Sequence, residues 1–326
     1  MTFHDILTKY RAISFSERDK GDRFERLMQA SLQTVPWYEG KLKHVWLWRE
    51  FPYKQNLGGK DTGIDLVAQT VEGEFWAIQC KCYDEKARID KPAVDSFLAT
   101  SSKQFVNDQK QTTSFALRLW ISTTNKWGPE AENAIRHQEP PVQRISLLDL
   151  ESAPVDWNAL EKGIHGNQAR QNKKTPHPHQ KAAMEAFHEY FQKGDRGKLI
   201  MACGTGKTFT SLKIAEQETG GKGLVLFLAP SIALVGQTLR EWMAEAEHPL
   251  FPICICSDPE VSRSKSKDDD EQDGYSVTDL AFPASTNVDT ILRQFNLAEK
   301  FHKDDLLVVF STYQSIAVIA KAQKEF

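Results

Sequence analysis

Apolar and polar positions alternate along this chain in two distinct ways, and the change between them divides it. Within residues 19–34, DKGDRFERLMQASLQT, the apolar residues Phe24, Leu27, Met28 and Leu32 recur at helical spacing, so the pattern predicts a helix that stops before VPWYEG. Short runs rich in β-branched and aromatic residues follow: HVWLWREF (44–51), GIDLVAQT (63–70) and EFWAIQCKCY (74–83), the last two joined through a turn at Glu72-Gly73. A helix over 91–100, a strand over 115–123, a helix over 128–137 and a strand over 144–150 complete the predicted order α-β-β-β-α-β-α-β. That order implies a mixed sheet flanked by helices.

The pattern then breaks. Residues 165–180, HGNQARQNKKTPHPHQ, are polar, basic and proline-marked, with almost nothing to bury, which is how a linker reads. Beyond them an amphipathic helix begins at HQKAAMEAFHEYFQKG, followed by a short strand and glycine loop in GKLIMACGTGKT and a helix in TSLKIAEQE. The continuously apolar runs GLVLFLAP, FPICICS and DLLVVFST then alternate with helical segments. Buried parallel strands alternating with helices predict a doubly wound α/β domain. Residues 262–276, SRSKSKDDDEQDGYS, are charged and poor in apolar side chains and are expected to form a mobile loop. The expected domains are 1–164 and 176–326, with a linker at 165–175.

Composition narrows the class without choosing the function. A chain of 326 residues, 40% hydrophobic and 26% charged, supports about two globular domains. No run approaches the roughly 18 apolar residues of a membrane span, and the charged start does not read as a signal peptide, so a cytoplasmic protein is expected. The five cysteines lack the C-x-x-C spacing of common zinc sites. A net charge of −3 supplies no global attraction to nucleic acid, so contact with DNA would need local patches.

The most specific chemistry lies in MACGTGKT, 201–208. There the chain turns through Gly204, Thr205 and Gly206 so that successive N–H groups can wrap a polyphosphate at a helix N-terminus. Lys207 adds a point charge for the outer phosphates of ATP, and Thr208 a hydroxyl for Mg2+. Met201 stands where the usual motif has its first glycine. With Gln180 upstream and LAPSIALVGQTLREW and VVFSTYQSI downstream, the stretch resembles the opening motifs of superfamily 2 helicases and DNA translocases. That resemblance implies adenine recognition by Gln180, and nucleic-acid backbone contacts from Pro230, Ser231, Gln237, Thr312 and Gln314. For Ser231 a helix N-cap is an equal alternative. Such motors also need an acidic D-E-x-H-type motif and a second RecA-like domain. The Asp-Glu pairs here, Asp84-Glu85 and Asp270-Glu271, fit neither place. The expectation is therefore an N-terminal piece of a longer polypeptide that binds ATP without turning it over.

A second site is legible in GGKDTGIDLVAQTVEGEFWAIQCKCY. Gln79 and Lys81 share a strand face, and a hairpin turning at Glu72 or Gly73 pairs positions summing to about 144–146, which sets Asp65 opposite Gln79 or Lys81. A carboxylate, an amide oxygen and an ammonium converging on one spot suit Mg2+-dependent phosphodiester hydrolysis. A polar hairpin without chemistry is the alternative on spacing alone. The arrangement resembles the Mrr-like branch of the PD-(D/E)xK nucleases, in which Gln replaces the second carboxylate, with a glutamate from the preceding helix matched by Glu25. An αβββαβ restriction-endonuclease-like domain joined to a RecA-like P-loop domain resembles the front of a type ISP restriction-modification enzyme. The resemblance implies Asp65 and Gln79 on Mg2+, Lys81 assisting hydrolysis, double-stranded DNA as partner, antiphage defence as role, and further motor, methyltransferase and target-recognition domains. An antiphage nuclease-helicase, a type I motor subunit and a non-cleaving DNA- and ATP-binding module remain open.

Overall fold

A computed structural model describes residues 1–58, 63–136, 138–257 and 276–325. It divides into two compact units, one of Met1–Gln171 with Thr278–Pro283 and one of Asn172–Val277 with Ala284–Phe326. The division falls inside the segment expected as a linker, but residues 165–171 pack with the first unit. Gly166 N–H donates to Thr34 Oγ1 at 2.9 Å, and Arg170 pairs with Glu39 and bridges to Val155. The expected loop at 262–276 lies, apart from Ser276, outside the described residues.

In the first unit, α1 (Phe3–Ile13) precedes the expected helix α2 (Glu17–Leu32), which Ser16 caps by accepting from Asp19 N–H at 3.1 Å. The strands are β1 (Leu42–Leu47), β2 (Leu66–Thr70), β3 (Phe75–Lys81), β6 (Phe115–Ser122) and β7 (Val142–Ile145), adjacent in that order. A small hairpin, β4 (Phe105–Val106) with β5 (Thr112–Thr113), stands apart. The β1-β2-β3 meander is antiparallel, and β6 and β7 run parallel to β3. Helix α2 packs on β1 and β3. On the other face α3 (Lys91–Ser101) and α4 (Pro129–Ile135) supply Val94, Phe97, Ala131 and Ile135 to a core containing Val67, Ala77 and Trp120. The predicted strand over 144–150 is corrected: it ends at Ile145, and α5 (Leu147–Ser152) begins because Ser146 and Asp149 form a reciprocal capping box that closes a helical turn. Helix α6 (Trp157–Glu161) follows.

The second unit contains α7 (Pro178–Phe191), α8 (Lys207–Thr219), β8 (Gly223–Ala229), α9 (Ile232–Glu245), β9 (Leu250–Ile255), α10 (Val288–Phe301), β10 (Leu306–Thr312) and α11 (Ile316–Glu325). Its sheet is parallel, in the order β8-β10-β9. The short strand expected before the glycine loop is corrected too, because residues 199–203 join no sheet among the described residues, and Leu199 and Ile200 are 44% and 89% exposed. A strand is stable only where a neighbour takes its N–H and C=O groups. Among the described residues β8 is the sheet's edge, and Leu224 and Leu226 on it are exposed although its run reads as a buried parallel strand.

Candidate nuclease and nucleotide sites

The β2-β3 hairpin sets the first site. Its register pairs Leu66 with Ile78 and Val67 with Ala77, sums of 144, so Asp65 falls opposite Gln79. Asp65 N–H donates to Ile78 O at 2.9 Å, which continues the ladder past the end of β2. The carboxylate then turns onto β3: Asp65 Oδ2 accepts from Cys80 N–H at 2.7 Å and from the Gln79 amide. Gly63, at φ +81°, lets the chain just before Asp65 pass close to α3, since a Cβ there would lie 2.9 Å from Ser96 Oγ and 3.1 Å from the Phe97 backbone nitrogen.

Parallel pairing places Gln79 beside Trp120 and Lys81 beside Ser122, on the face that carries α3. Cys80 and Cys82 point to the α2 face. Burial pushes the Cys80 thiol well above its ordinary value, and the Asp65 and Glu25 carboxylates add to the shift. A cavity of about 670 Å3 at this end of the sheet is lined by Asp65, Lys81 and Glu25 together with Arg18, Arg49 and Lys54. Gln79 is 1% exposed, and its Oε1 is buried without a hydrogen-bond partner among the described residues.

The Gln79 amide now turns its nitrogen to Asp65; rotated by half a turn it would set its oxygen beside that carboxylate, a pair that suits an oxygen-ligated cation such as Mg2+. Among the described residues no group of three or more His, Cys, Asp or Glu forms a ready-made metal cage. The fit therefore rests on Asp65 and Gln79, with Glu25 on the far wall. The basic residues Arg18, Arg49 and Lys54 were not singled out in the sequence, where they are scattered cations with no periodicity. Two threonines were missed as well. Thr123 Oγ1 donates to Tyr83 O at 2.6 Å and Thr124 Oγ1 to Ala87 O at 2.7 Å, which clamps the chain just after Lys81.

In the second unit the glycine loop turns left-handed twice before α8. Gly204 and Gly206 lie at φ +75° and +76°, and Gly206 caps α8. Thr205 Oγ1 and Lys207 Nζ both donate to Ala202 O, at 2.8 and 3.1 Å, which folds the loop on itself. Thr208 stands in the first turn of α8, and the buried Trp242 indole anchors that turn by donating to Thr208 O at 3.0 Å. Gln180 is buried against the loop: its Oε1 accepts from His177 N–H at 2.8 Å, and its Nε2 donates to Thr205 O at 3.0 Å. The amide thus fixes the phosphate loop directly.

The register Ala229 to Thr312 brings the chain after β8 and the chain after β10 side by side at the carboxyl ends of the strands, where open α/β sheets bind ligands. Pro230, Ser231, Gln237 and Gln314 are exposed. Ser231 Oγ also accepts from Leu234 N–H at 3.3 Å, so its capping role is present. Thr312 departs from the expected contact set, being buried with its hydroxyl 3.3 Å from Ser315 Oγ. Its exposed neighbour Tyr313 stands outward instead.

Residues 33–167 match the restriction endonuclease family, and residues 173–326 match the family described as type III restriction enzyme, res subunit. No curated protein matches the sequence. Among solved structures, the ATP-dependent type ISP restriction-modification enzyme LlaBIII bound to DNA aligns with all of this chain at 32% identity and a TM-score of 0.78. A nuclease-deletion mutant of the type ISP enzyme LlaGI, in complex with a DNA substrate mimic, aligns with 47% of this chain and 14% of its own at 43% identity and a TM-score of 0.38. The chain spans about a fifth of the LlaBIII chain, 19%. It joins a restriction-endonuclease domain to a helicase-like res-subunit domain, and in structure it corresponds to that part of a type ISP restriction-modification enzyme.

Proposed function

We propose that this chain is the nuclease and first motor portion of an ATP-dependent restriction enzyme that cuts double-stranded DNA after moving along it. The observation that carries the nuclease half is the Asp65 carboxylate joined across the hairpin to Gln79, at the mouth of a cavity it shares with Lys81 and Glu25. Mg2+ bound there would neutralise charge on the scissile phosphate and acidify its water. Asp65 and Gln79 Oε1 would hold the ion. Lys81 places an ammonium beside the phosphate, where it favours the transition state in which negative charge grows. Arg18, Arg49 and Lys54 would hold flanking phosphates and set the register of the duplex.

For the motor half, Gly204–Lys207 would cradle the phosphates of ATP, Thr208 would contribute to its Mg2+, and Gln180 would keep the loop in shape. Pro230, Ser231, Gln237 and Gln314 present polar and backbone groups to a nucleic-acid strand along one edge of the sheet. The exposed apolar residues Leu224 and Leu226 on β8, the sheet's edge among the described residues, support a further strand completing this sheet; the acidic motif and second RecA-like domain would belong to the same polypeptide. In this reading the span binds ATP without hydrolysing it, and methyltransferase and target-recognition domains belong to the same polypeptide. The setting is cytoplasmic antiphage defence, and among the described residues no helix is long and apolar enough to cross a membrane.

The test is incubation of the protein, within its full-length polypeptide, with DNA, Mg2+ and ATP. Wild type should cut. Asp65→Ala and Lys81→Ala should abolish cleavage while leaving ATP-driven movement intact, and Lys207→Ala should abolish the movement. A non-cleaving DNA- and ATP-binding module is favoured by the lack of a third acidic ligand among the described residues. Equal persistence of the DNA with wild type and both nuclease variants would establish that reading and end the proposed one.

A further inference from the structure

The turn joining α1 to α2 presents Phe15 with 95% of its surface exposed. Scattered surface aliphatics are ordinary, but this ring is held outward by a turn fixed on both sides. Ser14 N–H donates to Tyr10 O at 3.1 Å and closes α1, Phe15 N–H donates to Asp19 Oδ2 at 3.2 Å, and Asp19 N–H donates to the capping Ser16 Oγ. Arg23 Nε holds the same Asp19 carboxylate at 3.1 Å.

The helix that starts at this turn runs into the nuclease cavity, which Arg18, Lys20 and Glu25 line together with Asp65 and Lys81. Lys20 of α2 and Cys82, just past the end of β3, line the same cavity. Ten positions separate Phe15 from Glu25, about 15 Å at the helical rise, or four to five base pairs at about 3.4 Å each. Of the acids nearby, Glu17 is engaged by Lys20 at 2.7 Å and Asp19 by Arg23, while Asp22 lines the cavity. Arg11 and Arg18 are exposed cations with no ion-pair partner among the described residues.

We propose that the Ser14–Ser16 turn is a wedge for duplex DNA: Phe15 packs on base and sugar surface beside the cleavage site, and Arg11 and Arg18 meet the flanking phosphates. Apolar side chains inserted at base steps, with cations on the neighbouring phosphates, are a general means of gripping and deforming a duplex. The proposal rests on the nuclease reading for the identity of its ligand.

It is tested with the full chain and a fluorescent duplex in Ca2+ instead of Mg2+, so that binding is read without cleavage. Phe15→Ala should weaken affinity about tenfold, as expected for loss of one stacked aromatic, whereas Leu148→Ala, at another exposed apolar position, should not. Benzoylphenylalanine in place of Phe15 should photo-crosslink to DNA. Unchanged affinity of Phe15→Ala, or crosslinks formed only between protein copies, would overturn the wedge. The two readings separate cleanly in Mg2+. If wild type cuts while Phe15→Ala binds and cuts as wild type does, the wedge fails alone. If affinity depends on Phe15 while wild type leaves DNA intact, the nuclease reading fails alone.

Discussion

Gln79 is the residue where this site departs from a pair of carboxylates, and its surroundings say what the departure costs. A neutral amide offers Mg2+ one oxygen and no charge, so the ion is held less firmly than by two acids. Gln79→Glu should therefore lower the Mg2+ concentration needed for half-maximal cleavage by several-fold, since a second carboxylate beside Asp65 is repulsive without the ion and attractive with it. Gln79→Ala should raise that concentration or abolish cutting. A Mg2+ titration of cleavage by the three proteins decides it, and an unaltered midpoint in Gln79→Ala would remove Gln79 from the ion's shell. The facing of Asp65 and Gln79 was legible in the sequence because period-two alternation and one short turn fix which side chains can meet. Arg49 and Lys54 were not, because they reach the cavity through irregular chain that carries no period.

At the level of elements, local signals were read well where the element closes its own hydrogen bonds and poorly where it depends on a neighbour. The α2 helix, the β2-β3 hairpin and the α8 start follow from spacing, a cap and glycines. Residues 199–203 are apolar enough for a strand yet form none among the described residues. Residues 147–150 satisfied a strand pattern, but the Ser146–Asp149 capping box made the turn helical. The glycine loop gives a sharp prediction at this scale. Gly206 sits at φ +76°, and a Cβ there would lie 2.5 Å from Gln180 Nε2, on a side chain anchored at both ends and 4% exposed. Gly206→Ala should thus combine backbone strain of about 1–2 kcal/mol with displacement of Gln180, weakening ATP binding at least tenfold. Equilibrium binding of a fluorescent ATP analogue checks this. Affinity within twofold of wild type would mean that the loop does not need the left-handed turn.

At the scale of the whole molecule, the unexpected feature is that Thr278–Pro283 belongs to the first unit although the chain on either side of it belongs to the second. Nothing periodic announces such a segment, and only tertiary contacts reveal it. Tyr38, stacked edge-on against Trp76, donates its buried hydroxyl to Ala281 O at 2.9 Å, and Phe282 packs 5.5 Å from the Tyr38 ring. Arg144, lying over Trp127, divides its guanidinium between Glu132 at 3.0 Å and Asp279 at 2.7 Å. Removing the second carboxylate leaves a largely buried guanidinium half-satisfied, at a cost of roughly 1–3 kcal/mol. Asp279→Ala should then lower the melting temperature of the first unit by roughly 2–4 °C per kcal/mol. Calorimetry of the chain with and without Mg2+ and ATP assigns the transitions, because a ligand held by the second unit raises the melting of that unit alone. The transition that ATP does not move is the one Asp279→Ala should lower. A shift confined to the ATP-sensitive transition would show that this segment stabilises the unit its neighbours in sequence belong to, and not the one whose tyrosine and arginine it touches.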